Sequence, residues 1–101
     1  MKRPPRAHRD ANHPAIVDAL TRCGCTVVDL AAVGAGVPDI LVGVGGHNFL
    51  LEIKDGTRAP SARKLRETQV EFIATWRGHT AVVTDVPQAL AAVGITGANH
   101  A

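Results

Sequence analysis

Apolar positions at helical spacing alternate along this chain with short runs of β-branched residues. Between residues 11 and 23 the apolar positions recur every three or four residues, which predicts an amphipathic helix. Asp10 or Asn12 can cap its start and Gly24 can end it. The next segment, CTVVDL, is rich in β-branched residues and predicts a strand. The small residues of AAVGAG predict a loop.

Two further strand-like segments, PDILVGV and HNFLLEIK, are separated by Gly45-Gly46. Both glycines can adopt the positive φ of a two-residue type I′ turn, so the pattern predicts a β-hairpin. A helix is predicted from about Ser61 to Trp76, then a strand over TAVVTDV and a short helix over PQALAAVG. The order αβββαβα predicts an α/β fold, with a small mixed sheet flanked by helices. The inward positions of the predicted 61–76 helix are Leu65, Phe72, Ile73 and Trp76.

The position of the hairpin turn decides which side chains share a face. A turn at Gly45-Gly46 places Asp39 directly opposite Glu52. Because side chains alternate along a strand, these two carboxylates and Lys54 lie on one face. Directly opposed like charges destabilise a sheet, so the pairing needs an explanation. The other face is uniformly apolar and is predicted to be core: Ile40, Val42, Phe49, Leu51 and Ile53.

A divalent cation would explain two neighbouring carboxylates. Mg²⁺ prefers hard oxygen ligands and is often held by one or two carboxylates. A lysine beside such an ion suits phosphoryl chemistry. Lys54 could orient a metal-bound water, help to deprotonate it, or neutralise charge on the phosphate that the water attacks. The simpler alternative is that Lys54 only pairs with Glu52 or Asp39 at a strand edge. The hairpin alone leaves both interpretations open.

Two polar residues outside the hairpin bear on this choice. Gln69 lies on the apolar side of the predicted 61–76 helix, where an amide costs stability unless it has partners. It could bond to backbone at the edge of the core, or reach the carboxylates or a substrate phosphate. His13 opens the first helix, where a single histidine can be a cap, a surface residue or a ligand.

Composition narrows the class of protein. A chain of 101 residues is expected to form a single domain. No apolar run approaches the ~20 residues that cross a bilayer, so we expect a cytoplasmic protein with no membrane partner. Cys23 and Cys25 stand without a second pair, which favours core thiols over a metal site.

The charge distribution is more informative than the net charge of +2. Residues 1–9 are predicted to form a flexible basic arm, ahead of a single domain over 10–97 and a disordered tail over 98–101. Cations clustered near a site for a polyanion would add affinity through counterion release, and a solvated tail and helix face is the alternative. The clustered cations are Lys2, Arg3, Arg6 and Arg9 in the arm, and Arg58, Arg63, Lys64 and Arg66 after the hairpin.

The motif VPDILVGVGGHNFLLEIK, within an αβββαβ order, resembles the PD-(D/E)xK nuclease superfamily. The similarity is greatest to small phage and bacterial members related to VRR-NUC and Holliday-junction-resolvase-like nucleases. The segments RDANHPAIVDAL, GVPDILVG, LLEIKDG and TQVEFIATWRG contribute to it. The resemblance implies a restriction-endonuclease-like core and a metal-dependent DNA endonuclease, with junction or branched DNA among the expected substrates. The alternative is a non-catalytic nucleic-acid-binding module with a degenerate nuclease site.

The resemblance also implies roles for individual residues. Asp39 and Glu52 would hold Mg²⁺ or Mn²⁺, with the main-chain carbonyl of Ile53 as a further ligand. Lys54 would act on the attacking water. Gln69 matches a polar residue that many members use to position the lysine or the phosphate.

His13 departs from the pattern of the resolvase-like members, which carry a glutamate at this position of the first helix. A histidine there resembles the RecB-like branch, in which it is a metal ligand. Neutral imidazole is a softer donor than carboxylate, which would shift preference toward Mn²⁺ or weaken metal binding.

A chain of this length has little surface with which to hold a duplex. We therefore expect a homodimer or a higher homo-oligomer that presents its sites to DNA. The resemblance points to a bacterial or phage-infected bacterial cell as the source.

Overall fold

Four strands form one mixed sheet in the order β1-β2-β3-β4. The structure is a computed structural model that describes residues 10–96, so the predicted basic arm and C-terminal tail lie outside the described residues. β1, β2 and β3 are antiparallel neighbours, and β4 runs parallel to β3. The strands are β1 (Thr26–Asp29), β2 (Ile40–Val44), β3 (His47–Ile53) and β4 (His79–Val83).

Three α-helices flank this sheet: α1 (His13–Arg22), α2 (Glu67–Thr75) and α3 (Val86–Ala92). The predicted α/β class and the order αβββαβα are confirmed. Among residues 10–96, none of the helices has the length and apolar character needed to span a bilayer.

The hairpin forms in the predicted register. Gly45 and Gly46 have φ of 59° and 82°, the conformation that a type I′ turn requires. Val44 pairs with His47, and the ladder continues to Ile40 opposite Leu51.

The apolar face of the hairpin forms part of the hydrophobic core, as predicted. Its buried side chains pack with others from α1, β4 and α3, and Phe49 is half-buried against the same cluster. Burial of each large aliphatic side chain stabilises the fold by about 1.5–3 kcal/mol. The cluster contains Ile16, Leu20, Cys25, Ile40, Val42, Leu51, Ile53, Val83, Ala89 and Val93.

The first helix ends where the sequence predicts. Gly24 has φ of 91° and donates to the carbonyl of Thr21, while Cys25 donates to the carbonyl of Leu20. This pair of hydrogen bonds is a Schellman motif, which satisfies carbonyls at the end of α1. Cys25 is buried in the core, as expected of a core thiol, and burial raises its pKa.

The predicted helix over 61–76 is wrong in its first half. Residues Pro60–Arg63 form a 3₁₀ turn, and Lys64 is extended with ψ of 139°. The α-helix begins only at Glu67, because the main-chain N–H of Arg66 donates to the Gln69 side chain rather than to a preceding turn. A capping interaction therefore starts a new helix inside the segment that the periodicity treats as continuous.

This break also changes which side chains of the segment face inward. Leu65 precedes α2 instead of lying on it, and Trp76 follows its last residue. Trp76 is 45% exposed and stacks on Phe72 with ring centroids 5.2 Å apart, so its predicted inward position is wrong.

The loop between β1 and β2 approaches the start of α2 at one glycine. Gly36 has φ of 81°, and a Cβ placed on it would collide with the main-chain carbonyl of Thr68. No side chain larger than hydrogen fits there without displacing the turn of α2 that carries Gln69.

We expect Gly36→Ala to destabilise the protein by more than Gly34→Ala. Gly34 has a similar φ of 73°, but a methyl group placed on it would have nothing within 4 Å, so this variant incurs only the backbone strain of about 1–2 kcal/mol. Urea unfolding of both variants measures the difference. Equal destabilisation would contradict the close approach of this loop to α2.

Candidate active site

Glu52 is a carboxylate in an environment that does not favour its charge. It lies near the end of β3 and is 2% exposed. Burial raises its pKa to about 7, with a second contribution from the neighbouring Asp39 carboxylate and an opposing one from Lys54. A carboxylic acid with such a pKa exchanges its proton near neutral pH, which is a common property of functional carboxylates.

Lys54 and Gln69 both contact this carboxylate. The Lys54 ammonium lies 3.5 Å from Glu52 Oε2, and Gln69 Nε2 donates to the same oxygen at 2.9 Å. Lys54 Nζ is also 3.5 Å from Gln69 Oε1. The three side chains therefore form one connected polar group, on the face of β3 opposite the hydrophobic core.

The Gln69 side chain makes both of the contacts that the sequence leaves as alternatives. Its oxygen accepts from the main-chain N–H of Arg66 at 2.8 Å, and its nitrogen donates to Glu52. Gln69 is 5% exposed. Its two hydrogen bonds therefore satisfy both ends of a buried amide.

Asp39 completes the group from the neighbouring strand. It directly precedes β2, and its Oδ2 accepts a hydrogen bond of 2.7 Å from the main-chain N–H of Ile53. Its own carbonyl accepts from Leu30 at 2.8 Å, which holds the start of β2 against β1. Asp39 thus stands beside Glu52, as the register predicts, and it also contacts Ile53, the residue predicted to offer its carbonyl.

His13 is buried at the start of α1. It is 5% exposed at the first residue of α1 and lines a groove with Val17, Asp29 and Ile40. Across residues 10–96, no three or more histidine, cysteine, aspartate or glutamate side chains come together in a group that could hold a metal ion. The role of His13 as a metal ligand stays a prediction.

The predicted DNA-binding cations divide into two sets. Arg58, Lys64 and Arg66 are exposed on the segment that joins β3 to α2, immediately after Lys54. Arg63 is half-buried, and its Nε donates to the carbonyl of Arg58 at 2.9 Å, which closes a local turn within this segment. Arg3, Arg6 and Arg9 lie outside the described residues.

Asn12 is a contact of the site that sequence reasoning misses. The pattern offers it as a helix cap, but its side chain makes no capping hydrogen bond. It donates instead to the carbonyls of Lys54 and Thr84, which are 42 and 72 residues away in sequence. No local pattern carries a signal for contacts at such separations.

No family model, curated protein or solved structure matches this chain. The chemistry of the site therefore has to follow from its own residues: two adjacent carboxylates, an ammonium and an amide.

The pKa of Glu52 gives the protein a pH-dependent stability. Because the folded-state pKa is raised from 4.5 to about 7, this group stabilises the fold fully below pH 4.5, and the effect is lost as the pH rises through 7. We expect the free energy of unfolding to fall by up to about 3 kcal/mol across this interval in metal-free buffer. Glu52→Gln removes the titration and should flatten the curve.

Urea unfolding at several pH values between 4 and 8 measures this effect, with Glu71→Gln as the control because Glu71 is an exposed glutamate on α2. Parallel curves for the wild type and Glu52→Gln would contradict the raised pKa.

Proposed function

We propose that this protein is a divalent-metal-dependent DNA endonuclease with the restriction-endonuclease-like core of the PD-(D/E)xK superfamily. The observation that supports this most strongly is Glu52, a carboxylate 2% exposed that stands beside Asp39 and Lys54. Burying a carboxylate next to a second one is unfavourable unless another group compensates. Lys54 and Gln69 compensate for this only in part, because burial and the second carboxylate still raise the pKa of Glu52, so a structural role alone explains the arrangement poorly.

The residues present fit a divalent cation. Both carboxylates offer hard oxygen donors, and Mg²⁺ or Mn²⁺ commonly uses one or two carboxylates together with waters and substrate phosphate. The raised pKa of Glu52 is relieved when a positive charge is placed between it and Asp39. Asp39 and Glu52 would hold the ion, with the Ile53 carbonyl as a further donor. When bound, the ion would neutralise charge on the phosphate and acidify the attacking water.

Lys54 and Gln69 have separate tasks in this proposal. The Lys54 ammonium would stabilise the negative charge that develops on the attacked phosphate, or orient the water that attacks it. Gln69 holds Glu52 Oε2 through its Nε2, so the carboxylate keeps one orientation. Both are needed at fixed positions because phosphoryl chemistry depends on alignment.

The exposed cations after Lys54 would bind the DNA backbone. Arg58, Lys64 and Arg66 lie on the segment that leads from the site to α2. Such contacts carry affinity without sequence information, which suits a nuclease that recognises the structure of junction or branched DNA. Two copies of the chain would present two sites to two strands, so a homo-oligomer belongs to the same proposal.

A non-catalytic nucleic-acid-binding module is the second candidate. One observation favours it: within residues 10–96, no three histidine, cysteine, aspartate or glutamate side chains form a group that could hold a metal ion. A site with few ligands binds metal weakly, and DNA binding through the exposed cations would not depend on it.

Cleavage of branched and linear DNA with Mg²⁺ or Mn²⁺ tests the proposal. We expect cleavage by the wild type and by Glu71→Gln, and a loss of at least ~100-fold in Glu52→Gln and Lys54→Ala. The two site variants lose a metal ligand and the only lysine within reach of Glu52 among residues 10–96.

Binding of the same DNA, measured without metal, separates the two candidates. Retained binding with no cleavage under either metal would contradict the enzyme and support the non-catalytic module. Absence of both would contradict the two candidates together.

A further inference from the structure

The side chain of Asn12 joins the ends of two neighbouring strands to the start of α1. Its Nδ2 donates to the carbonyl of Lys54 at 3.1 Å and to the carbonyl of Thr84 at 2.8 Å. Lys54 and Thr84 directly follow the last residues of β3 and β4. One amide group therefore bridges the parallel strands at the point where they end.

The chemistry of these contacts fixes the orientation of the amide. A carbonyl oxygen only accepts hydrogen bonds, so two carbonyls require the NH₂ end of Asn12. Asn12 Oδ1 is buried and accepts no hydrogen bond from residues 10–96, so no described donor competes for the reverse orientation. An aspartate of the same shape would place an oxygen against two carbonyl oxygens.

Asn12 makes these two hydrogen bonds instead of a helix-capping hydrogen bond. It occupies the N-cap position of α1, where asparagine normally accepts a hydrogen bond from the first turn of the helix. Here its side chain makes no such bond. What the side chain stabilises is the position of the strand ends, not the helix terminus.

The main chain of Lys54 is consequently held from both sides. Its N–H donates to the carbonyl of Val83 at 3.0 Å, and its carbonyl accepts from Asn12. The Nζ at the end of the same residue lies 3.5 Å from both Glu52 Oε2 and Gln69 Oε1. A shift of the Lys54 main chain would move the ammonium relative to both partners.

We infer that Asn12 is a positioning residue, which clamps the main chain of Lys54 to the end of β4 and so sets the place of its ammonium in the site. The catalytic consequence rests on the proposed nuclease function. The clamp itself does not, because it concerns hydrogen bonds within the folded chain.

The test compares Asn12→Asp and Asn12→Ala with Gln88→Ala. Gln88 is the matched control because its Oε1 accepts from the main-chain N–H of Thr84 at 2.8 Å, beside the carbonyl that Asn12 holds, yet no hydrogen bond links it to Lys54. Asn12→Ala removes the donors without adding a repelling oxygen, so it serves if Asn12→Asp does not fold. Circular dichroism establishes folding in each case.

Two measurements are made on each variant: kcat and KM for DNA cleavage at saturating Mn²⁺, and hydrogen exchange of the Lys54 amide by NMR. For the Asn12 variants we expect kcat to fall by about 10–100-fold while KM changes by less than about twofold, since the substrate contacts are untouched. We expect the Lys54 amide to exchange at least about tenfold faster than in the wild type. Gln88→Ala should leave kcat and KM unchanged and should accelerate Lys54 exchange by less than the Asn12 variants, because it releases only the N–H of the Val83–Thr84 peptide group whose carbonyl holds the Lys54 amide.

The two measurements test the clamp and the proposed function independently. If the wild type cleaves no DNA, the proposed function fails, and the exchange rate still decides whether the clamp exists. Lys54 exchange in folded Asn12 variants that matches Gln88→Ala would overturn the clamp. Faster exchange with an unchanged kcat would overturn the positioning role.

Discussion

The hydrogen bond from Gln69 to Glu52 is the interaction on which the site depends. It spans 2.9 Å between the helix α2 and the strand β3, and both residues are buried. The other end of the Gln69 amide holds the N–H of Arg66 and so determines where α2 begins. One side chain therefore sets the start of the helix and the orientation of the carboxylate together. This is why α2 is shorter than the periodicity of its sequence suggests.

The buried carboxylate is tolerated because the opposite face of the same strand is strongly apolar. Leu51 and Ile53 alternate with Glu52 and Lys54, so a single strand supplies the core on one side and the site on the other. The core stabilises β3 against the unfavourable burial of charge, and Asp39 extends this support by accepting from the Ile53 N–H. Glu52 lies on β3, Asp39 and Lys54 directly flank β2 and β3, and Gln69 lies on α2. Regular elements therefore position the site, which suits chemistry that requires fixed geometry.

The features predicted correctly are those decided by local chemistry. Gly45-Gly46 determines the hairpin register, and strand alternation then places Asp39, Glu52 and Lys54 on one side. The features predicted wrongly or missed depend on partners distant in sequence. The helix over 61–76 divides because the Gln69 side chain caps its second half while bonding to Glu52, 17 residues away. Asn12 occupies the N-cap position of α1, but its side chain donates to carbonyls that no local pattern connects to it.

Trp76 illustrates a different reason for failure. It fits the helical periodicity, but α2 ends at Thr75, and the ring then stacks on Phe72 at the surface. His13 is likewise predicted only as one of several alternatives, because burial alone does not decide between a ligand and a structural histidine. For Trp76 the decisive fact is that α2 ends one residue earlier, which the spacing of apolar residues does not show.

The central claim is that Asp39 and Glu52 together hold a divalent cation, and crystals grown at pH 8 with Mn²⁺ test it most directly. Above its raised pKa the Glu52 carboxylate is ionised, so protons no longer compete with the metal for it. We expect an anomalous-difference peak, measured at the manganese absorption edge, within coordination distance of one oxygen of each carboxylate. No peak between them at saturating Mn²⁺, with Glu52 still held by Lys54 and Gln69 alone, would contradict the claim.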